Sequence, residues 1–491
     1  MTTTVSGSYP AVNSDSDATI NGLTVGKGGG AVSSNTAFGV NALTANQAGG
    51  TNNTGIGNAA LDSNTTGDAN TALGQDALQA NTTASNNTAV GYQAGYSNTT
   101  GTPNTYLGYQ AGYTGTTANE ITAIGYNALS ANTGNANTAV GERSLAANTT
   151  GIKNTATGSY CLAVNTTGSS NVAYGRETLS ANTTGSNNTA YGQAALQFNT
   201  TANGNTAVGY QAGYSGTTAE QNTFIGFTSG LSITTGINNS ALGYQSLRGN
   251  TTGQLNVAVG HGALYSNTTG GNNTALGYQA GYNNTTSSNN TTVGYQAGYA
   301  LTTGANNTCL GLSAGYGTPV SAPDLTTGSN NVYIGGYSAP SASANTYEIV
   351  IGYLSTGKGT GTGFMNAGGG GNYAGNNSAS WSTTSDKRVK KNIVDNNIGL
   401  EKIMQIQVRN FEYRKPEEIT ELPQKLAIQK DGVQLGVIAQ ELQQILPNCV
   451  KQESTGFLGV DSGDLTWYLI NAVKELKAEV DSLKAQLNNG A

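Results

Sequence analysis

Few residues in this chain could do chemistry. There is one histidine, His261, and there are three widely spaced cysteines, Cys161, Cys309 and Cys449, in 491 residues. No four-ligand metal cluster can be assembled from that set, and an odd, sparse set of cysteines is not a disulfide framework. Cys161 and Cys309 stand at positions of a 17-residue repeat that otherwise carry small residues, so they read as apolar fillers. Acidic residues are scarce too. Asp62 and Asp76, like Asp68 and Asp76, fall in neighbouring repeats. Glycoside hydrolysis usually needs two carboxyl groups about 5–9 Å apart, and so thin a supply does not point to such a site. The G-Y-Q-A-G-Y phrases resemble glycine-rich phosphate loops, yet they lack the lysine and the following helix. No metal and no cofactor is expected. The densest group of ionisable side chains is Lys387, Arg388, Lys390 and Lys391, just after Ser385. Taken alone, that cluster is a solvated basic turn.

Charge divides the chain into two kinds of protein. Residues 385–491 hold 14 of the 20 Lys and Arg and 15 of the 26 Asp and Glu. The net charge of −6 argues against nonspecific nucleic-acid binding, which needs a basic face. The first residues, MTTTVSGSYPAV, have no basic n-region and no apolar h-region. No apolar run approaches the roughly 18 residues that cross a bilayer. The expectation is a protein made in the cytoplasm, not exported by its own signal and not inserted in a membrane.

The elements that carry these residues are set by the repeat. The phrase N-T-A-x-G-Y-Q-A-G/L-Y-x-N-T-T-G recurs, with its first glycine at Gly39, Gly57, Gly74 and onward to Gly311, nearly always 17 residues apart, then at Gly335 and Gly352. A strict period argues for a stacked array over disorder. Seventeen residues suit one coil of a β-solenoid. Thr206-Ala207-Val208 alternates as a short strand, Gly209-Tyr210-Gln211 turns a corner, Ala212 starts a second short strand, and N-T-T-G makes the next turn. Asn and Thr ladders then run along the stack. Nineteen such coils make a rod of roughly 90 Å at about 4.8 Å per coil. Each coil offers only the Ala, Val, Leu and Ile flanking its glycine, so one chain is expected to bury little core and three chains to share it. The N-x-T triplets match a glycosylation acceptor, but an asparagine recurring in every coil reads as structural. Tyrosines at one coil position, including Tyr92, Tyr109, Tyr210, Tyr244, Tyr278 and Tyr295, form a packing or surface ladder, with a sugar-stacking stripe for a host glycan as the sharper alternative. The pattern resembles the β-roll heads of trimeric autotransporter adhesins, whose repeats also read N-x-A-x-G-x-x-A but are shorter.

The expected organisation is a lead-in or attachment segment (1–32), the repeat fibre (33–355), a glycine-rich connector (356–384) and a distinct C-terminal domain (385–491). In the last, Val408, Phe411 and Tyr413 alternate as in a strand. Leu435 to Leu446 has helical spacing and stops at Pro447. Leu469, Val473, Leu476, Val480, Leu483 and Leu487 are spaced as a coiled-coil seam, read here as that of a three-stranded bundle.

The phrases S-D-K-R-V-K-K-N-I-V, G-V-I-A-Q-E-L-Q-Q-I-L-P and D-L-T-W-Y-L-I-N-A-V-K-E-L-K-A-E-V occur in that order. Together they resemble the intramolecular chaperone auto-processing domain of endosialidase-type tailspikes and phage tail fibres, a domain also found in a membrane-anchored, self-cleaving transcription factor family. The resemblance implies a cleaving pair, Ser385 and Lys390, and a cut between Thr384 and Ser385, with Asp386 and Arg388 as supporting residues. The chemistry is coherent. A serine hydroxyl needs a base, no histidine is near, and a lysine serves if burial and neighbouring cations lower its pKa. Lys387, Arg388 and Lys391 crowd Lys390 in that sense.

The fold expected is mainly β: an elongated homotrimeric β-solenoid or β-roll of 17-residue coils, then a small α+β chaperone domain ending in a coiled-coil helix. The function expected is a phage tail-fibre structural protein of the virion, for host recognition or as a spacer. Its C-terminal domain trimerises and folds the fibre, then releases itself as a single-turnover serine peptidase. Other virion tail proteins at the N-terminus and a host glycan or protein are the expected partners. The alternative is a bacterial surface adhesin or spacer with a non-cleaving trimerisation domain.

Overall fold

A computed structural model describes residues 18–20, 23–317, 322–366, 372–374, 382–383, 387, 390–420, 428, 430–452 and 458–489. The chain forms two compact units, 1–384 and 385–491.

The first unit is a β-solenoid. From Thr36–Gly39 to Gly363–Met365, each strand pairs in parallel with the strand one coil on, almost always 17 residues away, as Thr189 does with Thr206. The antiparallel hairpin Ala18–Ile20/Leu23–Gly26 pairs with the first strand, Val25 against Phe38. The ladder runs on past the point where the sequence loses its period, because Ile349–Ile351 pairs in parallel with Gly363–Met365.

Each coil holds one strand, not two. Thr206–Val208 is extended, but Ala212 lies in a turn. Gln211 and Gly213 have φ of 51° and 63°, outside the extended range. The backbone still bonds between coils there. The Gln211 N–H donates to Gln193 O at 3.0 Å, and the Gly213 N–H donates to Ser229 O at 2.9 Å. The corner itself demands glycine. Gly209 has φ +135°, and a Cβ on it would sit 2.4 Å from the carbonyl oxygen of Gly226 directly along the stack.

The core lies inside one chain. Ala207 and Ala212 are fully buried, as are Leu179 and Leu247 in equivalent turns of other coils. The residue just before the glycine, by contrast, points outward, as the strand's alternation requires: Val208 and Leu242 are exposed. The expectation that one chain buries too little core is therefore not met, because asparagine fills much of the interior. Asn188 shows how. Its backbone N–H and its Nδ2 both donate to Asn171 Oδ1 (3.0 and 3.2 Å), Nδ2 also donates to Ala202 O (2.9 Å), and its own Oδ1 accepts from the Asn205 N–H (3.0 Å). A second buried ladder runs through Asn165 and Asn182 (2.8 Å). Threonine hydroxyls add rungs, such as Thr166 to Thr183 O at 3.0 Å. Asparagines repeated along the stack bond to their copies in adjacent coils, so a polar interior costs little.

Where the strand's inward residue is large, the turns above and below give way. Tyr106 replaces the usual alanine, and a Cβ on Gly95 or Gly112 would lie 2.5 or 2.2 Å from its ring. Phe224 is housed the same way by Gly213 and Gly230. Cys161 and Cys309 are free and fully buried in alanine positions. At the far end the asparagine ladder stops on Glu348, which is fully buried. Its carboxylate accepts from the Tyr333 hydroxyl (3.0 Å) and the Gly359 N–H (2.8 Å).

The second unit is small and mixed. Helix α1 (Leu400–Ile403) precedes the antiparallel pair Arg409–Phe411/Gln434–Gly436. Helix α2 (Ala439–Ile445) begins after that strand, so the helical spacing read from Leu435 covers a strand end and then a helix. The pair Val450–Gln452/Leu458–Val460 leads into helix α3 (Ser462–Asn489). Leu442, Leu446, Cys449 and Val450 form a core that Ile406, Leu465 and Tyr468 partly cover.

Candidate functional site

Of the residues expected to cut the chain, Thr384, Ser385, Asp386 and Arg388 lie outside the described residues. Lys390 is described. Its backbone N–H donates to Lys387 O at 3.1 Å, and both side chains are exposed. The burial that would favour a neutral lysine is therefore not supplied by the described residues of its own chain.

The segment after Lys390 is held by α3. Asn471 Nδ2 donates to Asn396 O (2.7 Å) and Ile398 O (3.3 Å). One turn on, Glu475 Oε2 accepts the Leu400 N–H at 2.7 Å, a charge-assisted bond at the start of α1. Between these anchors Gly399 presses on the helix, and a Cβ there would lie 2.2 Å from the Ala472 nitrogen. Sequence reasoning misses Asn471, Glu475 and Gly399. The one available signal is the i, i+4 spacing of Asn471 and Glu475 on a face of α3 next to the apolar seam.

The seam residues Leu469, Val473, Leu476, Val480, Leu483 and Leu487 lie along α3, all solvent-exposed, from 37% for Val480 to 73% for Leu487. Val394, Met404, Val433, Leu435 and Trp467 of the same unit are also exposed.

Residues 385–451 match the family model described as chaperone of endosialidase. The C-terminal unit carries a chaperone domain of this family. The matched stretch starts at Ser385 and ends in the strand Val450–Gln452, so α3 lies beyond it. No curated protein and no solved structure matches the chain.

On the solenoid, aromatic side chains form two stripes. The rings of Tyr210, Phe227, Tyr244, His261, Tyr278 and Tyr295 stack in sequence with centroids 4.9–5.3 Å apart. Four residues further round the coil, Tyr265, Tyr282 and Tyr299 stack at 4.8 and 5.3 Å. At the top of these stripes, Tyr295, Gln296, Ser313, Tyr316, Asp324 and Tyr337 line an open cavity of 390 Å³. Asp68 is occupied structurally. Its carboxylate accepts from the N–H and hydroxyl of Thr51 (2.6 and 2.7 Å), which hold its pKa below the usual value. Asp62 accepts from the Thr44 hydroxyl. Among the described residues no group of three or more His, Cys, Asp or Glu is placed to hold a metal ion, and no helix is long and apolar enough to cross a membrane.

Proposed function

We propose that this chain is a phage tail-fibre protein whose C-terminal domain trimerises the chain, templates the folding of the solenoid, and then cuts itself away between Thr384 and Ser385. The observation that carries the reading is the chaperone-of-endosialidase match beginning at Ser385, which follows a long β-solenoid in the sequence. Ser385 is the nucleophile and Lys390 the base. The hydroxyl oxygen attacks the Thr384 carbonyl carbon and its proton passes to Lys390. The Thr384–Ser385 peptide bond breaks, and the leaving amine takes a proton as it departs. Water then hydrolyses the ester that remains, with no other reactant required. The exposed seam of α3 supports a homotrimer, and the partner chains would supply the burial that the described residues of its own chain do not give Lys390.

The need for a template arises from the repeat. Coils that resemble one another allow chains to associate out of step, and such states are slow to correct. A C-terminal trimer sets the step before winding begins. Removing it afterwards makes the wound rod hard to reverse. The N-terminal hairpin end is the side for attachment to other virion proteins. The aromatic cavity at Tyr295, Tyr316 and Tyr337 favours a host glycan as the surface partner, since aromatic walls with amide and carboxylate groups suit a sugar ring.

The test is subunit mass on a denaturing gel and by mass spectrometry, with wild type beside Ser385→Ala and Lys390→Ala. Fragments of 384 and 107 residues in wild type and an intact chain in both variants are expected. An intact wild-type chain would overturn the cut and leave the C-terminal domain as a trimerisation cap, with the fibre reading standing.

A further inference from the structure

The strands of the solenoid carry a second regularity, on the outside. Each strand presents two outward positions, the first and the third of the triplet centred on its buried residue, as Thr206 and Val208 show around Ala207 and Thr105 and Leu107 show around Tyr106. From Thr36–Gly39 to Gly363–Met365 neither position is charged in any coil. The third position is apolar in every coil except at Thr157. Among its members Val208 is 36% exposed, Leu242 47% and Tyr191 60%. Charge is not absent from the rod as a whole. Glu142 and Arg176 stand just past the corner glycine, and Asp68, Glu120 and Lys153 stand in the turns.

We infer that this uncharged strand face is where the solenoid packs against copies of itself. The inference deepens the homotrimer reading under Proposed function and rests on it, but it moves the shared surface from the interior of the coil to its outside.

Three features select a second copy over another partner. The first is length. The face runs the whole rod, roughly 90 Å by about 10 Å, or about 900 Å² per chain, against about 800 Å² per partner in a stable interface. One of its two columns is largely threonine and the other apolar, and a monomer rarely leaves so long an apolar column in water. The second is pitch. An outward apolar group recurs at nearly every coil, and a partner that meets each one must repeat at the same spacing, which a parallel copy does by construction. The third is charge. The column nearest a cyclic symmetry axis faces its own copies. A charged residue there would meet identical charges, so self-packing demands an uncharged column, and a differently built partner would not. Thr157, the one polar member, is neutral.

The experiment uses the full chain with a single added cysteine. Leu242→Cys lies on the strand face and Thr217→Cys on an exposed turn. Each is treated with a short bifunctional thiol reagent under native conditions, beside unsubstituted chain. Native mass is measured by light scattering in parallel. The expected result is a trimeric mass for all three, with covalent dimers and trimers from Leu242→Cys and none from Thr217→Cys or wild type. A trimeric mass with no cross-linking at Leu242→Cys would overturn the strand-face interface and leave the trimer reading standing. A monomeric mass would overturn both. Both positions are solvent-exposed in the single chain, so neither substitution disturbs its core.

Discussion

Replacing Asn188 with alanine tests whether the buried asparagine ladder holds the rod together. Asn188 is fully buried. Its Oδ1 is the acceptor for the Asn205 N–H at 3.0 Å. Its Nδ2 donates to Ala202 O and to Asn171 Oδ1. Alanine keeps the backbone bond from residue 188 to Asn171 Oδ1, and Ala202 O keeps a second donor in Asn199 Nδ2 at 3.2 Å. What it cannot replace is the acceptor for Asn205, whose N–H is left buried and unpaired. That orphan costs about 1–3 kcal/mol, and the lost side-chain bonds add roughly 1 kcal/mol, for a total of about 2–4 kcal/mol. Because each coil touches only its neighbours, the loss is local, and hydrogen exchange of the Asn205 amide is the suitable assay. Exchange is expected to accelerate about 30- to 1,000-fold at a tenfold change per 1.4 kcal/mol. Amides several coils away should change little. Thr189→Ala, at an outward position of the next residue, is the control. Exchange at Asn205 within twofold of wild type would refute the claim that the ladder carries stability.

Four further outcomes are expected. Gly209→Ala should block formation of the soluble rod, since its Cβ would fall 2.4 Å from Gly226 O at a φ of +135°; a soluble yield and a circular dichroism spectrum like wild type would count against it. Tyr106→Phe should stabilise the rod by about 1 kcal/mol in denaturant unfolding, because the Tyr106 hydroxyl is buried and has no partner among the described residues. Burial pushes the thiols of Cys161 and Cys309 up to about 12, so neither should react with a thiol reagent at neutral pH until denaturant is added. The Lys451 ammonium, 2.7 Å from Asp461, holds that carboxyl below its ordinary value of 3.8; the pair's contribution is therefore present above that value and lost as pH falls through the lower folded one. In an NMR titration Lys451→Ala should return the Asp461 midpoint upward.

The legible part of the fold is what depends on local period. Spacing of glycine, asparagine and threonine places the coil, its strand at Thr206–Val208 and the inter-coil ladders, because stacking sets identical residues above one another. The expected second strand at Ala212 fails since alternation of small residues does not distinguish a strand from a turn with φ above zero. The apolar residues before each glycine are natural candidates for a core, yet they point out, because strand alternation turns the preceding residue inward, and asparagines that only the stack can satisfy fill much of the remaining interior. In the C-terminal unit, Ser385 and Lys390 are marked by a resemblance covering their surroundings. The tie of Asn471 and Glu475 to residues 396–400 spans some 75 positions and leaves no local pattern.

By itself, then, the sequence determined the repeat, the division of the chain near Ser385 and the chaperone character of the C-terminal unit, since each is written in composition, period or motif. The tertiary structure decided where the core lies, why Tyr106 and Phe224 each need one glycine in their own coil and one in the coil before, and which column of apolar residues remains uncovered. Those outcomes depend on which side chains meet across coils and within the C-terminal unit. Such meetings are set by packing in three dimensions, not by neighbours along the chain.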